Sequence, residues 1–211
     1  MVLSEFHKRV LSALVLLPPV VAAVYFGGIW FSILIGVAAI AMVWEWTVLA
    51  RSQAPWLIGG GIYILAACYV LFLMRGDDLA GRNMILFLLA VTWATDTGAY
   101  LVGRAVGGPK LAPKISPSKT ISGAVGGLLI GVGAAILIWS MTGGTIDAHL
   151  LFAAVIGSIG CQIGDLVESG AKRHFKVKDS GRLIPGHGGV LDRVDGLLAA
   201  ALAVAATGIW Q

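Results

Sequence analysis

Long, continuously apolar runs constrain the fold of this chain more than any other feature of its sequence. Of its 211 residues, 58% are hydrophobic and 12% are charged, and a soluble domain of this size could not cover so much apolar surface with so few charges. A helix that crosses a bilayer needs about 20 mostly apolar residues. Seven segments qualify, near residues 10–27, 29–50, 56–74, 83–103, 121–141, 148–168 and 190–210.

These runs predict an all-α integral membrane protein. They are continuous rather than alternating in polarity, which favours helices over the strands of a membrane barrel. We therefore expect about seven transmembrane helices in a single polytopic domain over residues 1–211. The polar chemistry of the chain should then lie in its loops and at the helix ends.

The distribution of Lys and Arg predicts the orientation, because short loops rich in these residues stay on the cytoplasmic side. A cytoplasmic N-terminus places twelve of the fifteen Lys and Arg residues on that side, namely Lys8, Arg9, Arg51, Arg104, Lys110, Lys114, Lys119, Lys172, Arg173, Lys176, Lys178 and Arg182. We therefore expect a bacterial inner (cell) membrane protein whose N-terminus and basic loops face the cytoplasm. The net charge of +4 then reflects membrane topology and does not indicate a nucleic-acid partner.

Acidic residues approach the same side of the predicted bundle. Ionisable groups within a bilayer are energetically costly and mark functional sites by default. Acids placed at random would occupy both leaflets, so their clustering predicts one polar active site at the inner interface. The acids are Glu45, Asp96, Asp165, Glu168, Asp192 and Asp195.

Two of these acids bracket a basic, glycine-rich loop. Asp165 near the end of the sixth predicted helix and Asp192 at the start of the seventh suit a hard cation such as Mg²⁺, which takes its remaining ligands from substrate phosphates. Helix capping is the alternative for Asp192 and Asp195. For Glu168 the alternative is an i,i+4 ion pair with Lys172.

Two loops carry groups suited to phosphate. The first contains Pro185-Gly186-His187-Gly188-Gly189, whose backbone N–H groups can face an anion before a helix begins, and His187 could donate to phosphate, shuttle a proton or be merely solvated. The second offers hydroxyls and cations before the fifth predicted helix, and it lacks the phosphate-binding pattern G-x-x-x-x-G-K-[ST]. Its candidate residues are Lys114, Ser116, Ser118, Lys119 and Thr120.

The segment 169–195 resembles the signature of the phosphatidate cytidylyltransferases, also called CDP-diacylglycerol synthases. Its matching positions are Ser169, Lys172-Arg173, Lys178-Asp179, Gly181, Ile184-Pro185, His187-Gly188-Gly189-Val190 and Asp192-Arg193-Val194-Asp195. Two further segments are similar to the same family: Asp96–Tyr100 with Gly103-Arg104, and Ile115–Thr120 with Gly123. The resemblance covers roughly residues 90–200, which would be the catalytic core.

The resemblance implies transfer of CMP from CTP to phosphatidic acid, giving CDP-diacylglycerol and pyrophosphate, by a homodimer in the lipid bilayer. It implies Mg²⁺ on Asp165 and Asp192, with a second cation allowed beside it. The implied catalytic residues are Asp165, Asp192, Lys172, Arg173, His187, Arg193 and Asp195. The implied substrate-binding residues are Asp96, Arg104, Ser116, Ser118, Lys119, Thr120, Lys178, Asp179, Gly188 and Gly189.

Two other functions are consistent with parts of the sequence. A CTP-dependent transferase acting on an isoprenoid-type lipid phosphate would need the same polar residues. The choice of lipid depends on apolar helix surfaces, which the sequence does not resolve. A transporter or channel would also carry buried acids. Such a pathway should bring polar residues into both leaflets, whereas the outer halves of these helices are nearly uniformly apolar.

Overall fold

The structure, a computed structural model, describes residues 5–51, 53–184, 186 and 188–210, without the side chains of 5–11 and 13. Its described part is an all-α membrane protein, as the sequence predicts. The helices are α1 (Glu5–Phe26), α2 (Gly28–Ala50), α3 (Ala54–Arg75), α4 (Leu79–Val106), α5 (Ile121–Met141), α6 (Ala148–His174) and α7 (Leu191–Ala205).

Five of the described helices, α2 to α6, are long and apolar enough to cross a membrane. The apolar part of α1, Leu14–Phe26, and the 15-residue α7 are shorter than a span requires by this measure. Seven spans therefore stays a prediction, while the number of described helices agrees with it.

Helices α4 and α5 approach each other closely because glycines face the contact. A Cβ atom on Gly127 would lie 2.7 Å from the carbonyl oxygen of Thr95, and one on Gly123 would lie 2.7 Å from that of Ala99. Small residues at helix contacts are typical of membrane bundles. In the same interior, the hydroxyls of Thr95 and Ser158 on α6 form a buried hydrogen bond of 2.8 Å.

The structure adds a β-hairpin where the sequence predicts only a loop. Strands β1 (Lys110–Ala112) and β2 (Ser116–Thr120) pair antiparallel. Thr120 then caps α5, since its Oγ1 accepts a hydrogen bond from the backbone N–H of Gly123 at 3.0 Å. Hydropathy cannot detect so short and polar a hairpin.

Two helix ends also differ from expectation. Helix α6 continues to His174 rather than stopping near 168, because hydropathy marks the apolar span and not the charged turns beyond it. Helix α7 ends at Ala205, and turns follow to residue 210. The extension of α6 places Lys172 on a regular helix.

Residues from distant parts of the chain meet near the helix ends on each side of the bundle. At one end, the Arg75 guanidinium donates to the carbonyl oxygens of Val24 at 2.7 Å and Tyr25 at 3.1 Å. At the other end, Glu45 of α2 meets the start of α7. This second end also carries the hairpin and the loop between α6 and α7, and it holds the candidate site.

Candidate active site

Lys172 links two helices at the centre of the candidate site. Its ammonium group lies 2.7 Å from Glu168 Oε2, one turn earlier on α6, and 2.7 Å from Asp192 Oδ1 on α7. The Glu168–Lys172 ion pair is thus the i,i+4 contact considered from the sequence. The Lys172 side chain is only 13% exposed, so water screens these pairs weakly.

Asp192 organises the loop before α7. Besides the ion pair with Lys172, its carboxylate accepts hydrogen bonds from the backbone N–H groups of Ser180 at 2.9 Å and Gly189 at 2.8 Å. Its side chain is 3% exposed. Asp192 therefore accepts backbone hydrogen bonds at the start of α7, as the capping alternative expects. Its carboxylate also connects the loop to Lys172 on α6.

Asp165 pairs with a different lysine. Its Oδ2 forms an ion pair with Lys119 of β2, and its Oδ1 accepts a hydrogen bond from the Ser169 hydroxyl at 3.3 Å. The Asp165 side chain is 31% exposed, so it is the more accessible of the two predicted metal ligands. This contact attaches the hairpin to α6.

Further acids surround these pairs. The carboxyl groups of Glu168 and Asp195 face each other, and no donor within the described part of the chain reaches the buried Glu168 Oε1. Asp195 Oδ1 accepts from the backbone N–H of Gly196 at 2.8 Å. Asp96 on α4 accepts a weak hydrogen bond from the Cys161 thiol at 3.6 Å and lies within electrostatic range of Asp165 and Asp195.

Glu45 lies at this site, as its place among the clustered acids predicts, and the structure adds what it contacts. It is 1% exposed, and its two carboxylate oxygens accept from the backbone N–H groups of Val190 and Leu191, each at 2.9 Å. These are donors at the N-terminus of α7, where a negative charge is stabilising. The available signal was its position, an acid near the same helix end as the other candidates.

Four of the predicted cations, Arg104, Arg173, Lys178 and Arg193, are exposed, and two of them make hydrogen bonds within the protein. Arg173 supports the structure by donating to the carbonyl oxygens of Ile115, near the hairpin, and Val177. Arg104 donates to the Tyr100 hydroxyl at 2.8 Å. Arg193 and Lys178 are exposed, so their side chains are accessible to a soluble ligand.

The remaining predicted residues lie in the hairpin and the loop. Ser116 and Ser118 are on β2, and Asp179 is exposed beside Lys178. Gly188 has φ of +86° and pairs with Ile184, which donates from its backbone N–H to the Gly188 oxygen at 2.9 Å. His187 lies outside the described residues, so its predicted role is not addressed by the structure.

The donor set fits Mg²⁺ in chemical type. Among the described residues no group of three or more His, Cys, Asp or Glu is arranged to hold a metal by itself. Mg²⁺ bound with a nucleotide takes most ligands from phosphate and water, so one or two carboxylates suffice. Asp165 is partly exposed, whereas Lys172 and the backbone N–H groups of Ser180 and Gly189 hold the carboxylate of Asp192.

Fold and site together define a membrane protein with paired lysines and carboxylates at one end of its helices, a combination suited to phosphate-bearing ligands. The family model described as "Cytidylyltransferase family" matches residues 7–75 and 56–209. The chain belongs to this family.

Relatives from several bacteria carry a common name. A protein of Brucella suis named phosphatidate cytidylyltransferase is 38% identical over 247 aligned positions, which cover 94% of this chain and 92% of the relative. Proteins of the same name from Staphylococcus haemolyticus and Staphylococcus epidermidis are 42% and 50% identical, covering 73% and 56% of this chain and 60% and 46% of their own lengths. These similarities agree with the family resemblance read from the signature residues.

Proposed function

We propose that this protein is a CTP:phosphatidate cytidylyltransferase of phospholipid biosynthesis. A phosphatidate oxygen attacks the α-phosphorus of CTP, the bond from that phosphorus to the oxygen bridging to the β-phosphate breaks, and pyrophosphate leaves. The observation that carries the proposal is the convergence of signature residues from β2, α6 and α7 into two lysine–carboxylate pairs, Lys119–Asp165 and Lys172–Asp192. The shared name of the relatives supports the same substrates.

The two ion pairs suggest how the site accepts a triphosphate. Phosphate oxygens can replace the carboxylates at Lys119 and Lys172, because both are anionic acceptors. The displaced carboxylates of Asp165 and Asp192 are then available to a divalent cation. Before the nucleotide arrives, the same pairs hold the lysine and carboxylate side chains in place.

Mg²⁺, when bound, would neutralise charge on the phosphate oxygens. We propose Asp165 and Asp192 as its protein ligands, with a second cation allowed beside it. The lysines position the triphosphate and stabilise the negative charge that grows during transfer. Glu45 holds the start of α7 in position through the backbone N–H groups of Val190 and Leu191.

The reaction is tested by converting α-labelled CTP into lipid-extractable product with purified protein, phosphatidate and Mg²⁺. Label should enter the lipid phase and should be lost in Asp192→Asn and with a chelator. Parallel reactions with an isoprenoid lipid phosphate separate the two lipid classes. No product from folded protein with phosphatidate would overturn the proposal, and product with the isoprenoid substrate alone would reassign the acceptor.

We also propose a bacterial inner-membrane location with the N-terminus and the site on the cytoplasmic side. A cysteine replacing exposed Lys178 should react with an impermeant reagent only in inverted vesicles, and one replacing exposed Asp77 only from the opposite side. Cys68 and Cys161 are buried and should give little background. The reverse labelling pattern would contradict the orientation.

The resemblance further supports a homodimer. Native mass spectrometry of protein released from nanodiscs should show two copies. A monomer at all concentrations would contradict this assembly.

A further inference from the structure

A cavity of about 400 Å³ lies between α2, α3, α6 and α7, beside the candidate site. Its wall is mostly apolar and is formed chiefly by Trp46, Trp56, Tyr63, Ile64, Val167 and Leu191. Val167 is 63% exposed on the apolar side surface of the bundle. The cavity therefore reaches the surface that membrane lipids would contact.

The inner end of this cavity is polar. Glu168 and Asp195 line it, and the Tyr63 hydroxyl donates to the carbonyl oxygen of Asp195 at 3.5 Å. Glu168 is 6% exposed, and its Oε1 has no hydrogen-bond partner among the described residues. A buried polar atom without a partner is unfavourable by itself, and this position is open to a donor from a ligand or to a proton shared with the Asp195 carboxyl group that Glu168 faces.

The polar end is continuous with the candidate active site. The other oxygen of Glu168 accepts from Lys172, which also contacts Asp192. A molecule in the cavity would thus have its polar end within reach of the residues assigned to phosphate. Its apolar part would lie along the aromatic wall.

We propose that this cavity, the α3–α6 cavity, binds the acyl segment nearest the glycerol of the lipid substrate, with the phosphate end toward Glu168 and Lys172. The inference rests on the proposed function and adds where the lipid lies. A phosphomonoester hydroxyl is a donor of the kind that Glu168 Oε1 lacks. The cavity volume falls within the range of about 300–1,000 Å³ typical of small-molecule sites.

Two glycines of α3 shape this space. A Cβ atom on Gly60 would lie 1.9 Å from Cε2 of Trp46, so the indole packs directly on the α3 backbone and forms a wall. A Cβ atom on Gly59 would meet no atom within 4 Å, although Gly59 lines the cavity. A Cβ atom is therefore accommodated at Gly59 without a clash, and we expect a larger side chain there to occupy part of the cavity.

Gly61 supplies a matched control. It lies on the same helix and also has no atom within 4 Å of an added Cβ, but it is not among the residues that line the cavity. Gly59→Leu should raise the KM for dioleoyl phosphatidate about tenfold or more, as steric exclusion from an apolar pocket does, and leave the KM for CTP unchanged. Gly61→Leu should change neither, and equal effects of both variants would overturn the proposal.

A binding measurement separates this inference from the proposed reaction. Phosphatidate carrying a diazirine on its acyl chain should cross-link to peptides of α3 or α6 from this cavity, and Gly59→Leu should reduce the yield while Gly61→Leu does not. Labelling elsewhere, or equal labelling by a diazirine phosphatidylcholine, would overturn the assignment. Cross-linking here without turnover of CTP would contradict the proposed reaction alone, whereas turnover that Gly59→Leu leaves unaffected would contradict the cavity assignment alone.

Discussion

Glu45 of α2 accepts a hydrogen bond of 2.9 Å from the backbone N–H of Leu191, the first residue of α7, which lies 146 residues further along the chain. The neighbouring N–H of Val190 donates to the other carboxylate oxygen. A residue of the N-terminal half thus completes the hydrogen bonding of the helix that carries Asp192 and Asp195. The start of α7 depends on this contact because no side chain from its own N-cap residue provides one.

Replacing Glu45 with Ala should destabilise the loop and reduce activity. The change leaves the buried N–H of Leu191 without its acceptor, at about 1–3 kcal/mol, and removes the acceptor of the partly buried N–H of Val190 as well. Glu45→Gln keeps one carbonyl acceptor and should lose less of both properties. Unfolding in detergent and the CTP transfer assay measure the two effects, and an Ala variant as stable as wild type would contradict the role given to Glu45.

Lys172→Met and Asp192→Asn should each destabilise the protein and abolish most activity. Lys172→Met leaves the carboxylates of Glu168 and Asp192 without their cation, typically at about 3–5 kcal/mol, whereas Asp192→Asn leaves Lys172 paired with Glu168 and should cost less. The double variant should be more stable than the sum of the single effects by about 0.5–3 kcal/mol, as expected for residues in contact, but it should not recover activity. Strict additivity of the two unfolding free energies would contradict the coupling.

Asp165→Asn should separate activity from stability. The Asp165 side chain is 31% exposed, and ion pairs with partly solvated groups contribute little to stability, so its unfolding midpoint should stay close to that of wild type. Turnover should fall about 100-fold or more at every Mg²⁺ concentration. Asp77→Asn, at the opposite end of the bundle, is the control, and normal turnover of the Asp165 variant would remove it from the metal site.

Gly189→Ala should disrupt the packing of the loop between α6 and α7. An added Cβ would lie 2.4 Å from Ser180 Oγ and 2.5 Å from Glu45 Oε2, so the contacts that hold the start of α7 must shift. Gly133→Ala on α5 meets no atom within 4 Å and should be neutral or slightly stabilising, because Ala favours a helix over Gly. Limited proteolysis of the loop should be faster only in the Gly189 variant.

The sequence predicted the features that depend on local composition. Apolar runs located α2 to α6, and signature residues located Lys172 and Asp192, whose contact the structure shows. Hydropathy placed helix ends less well, since Lys172 is charged yet lies within α6. The hairpin was not predicted because its eight strand residues have no apolar periodicity.

Contacts between distant segments could not be predicted from the sequence. Nothing local to Glu45 indicates that its oxygens meet Val190 and Leu191, and nothing in α3 indicates that Gly59 faces a cavity. The pairing of Asp165 with Lys119 likewise depends on how the hairpin lies against α6. Each of these relationships depends on helix packing, which composition and spacing do not specify.

The buried Glu45 of α2 has a consequence for fragments of this chain. A C-terminal fragment beginning at α4 would retain every signature residue but would lack Glu45, leaving the first amides of α7 without their acceptor. Expression of that fragment alone should give a protein that inserts but does not assemble its loop, and supplying residues 1–75 as a separate chain should restore it. The N-terminal helices would then act as an intramolecular template for the catalytic half as well as a membrane anchor.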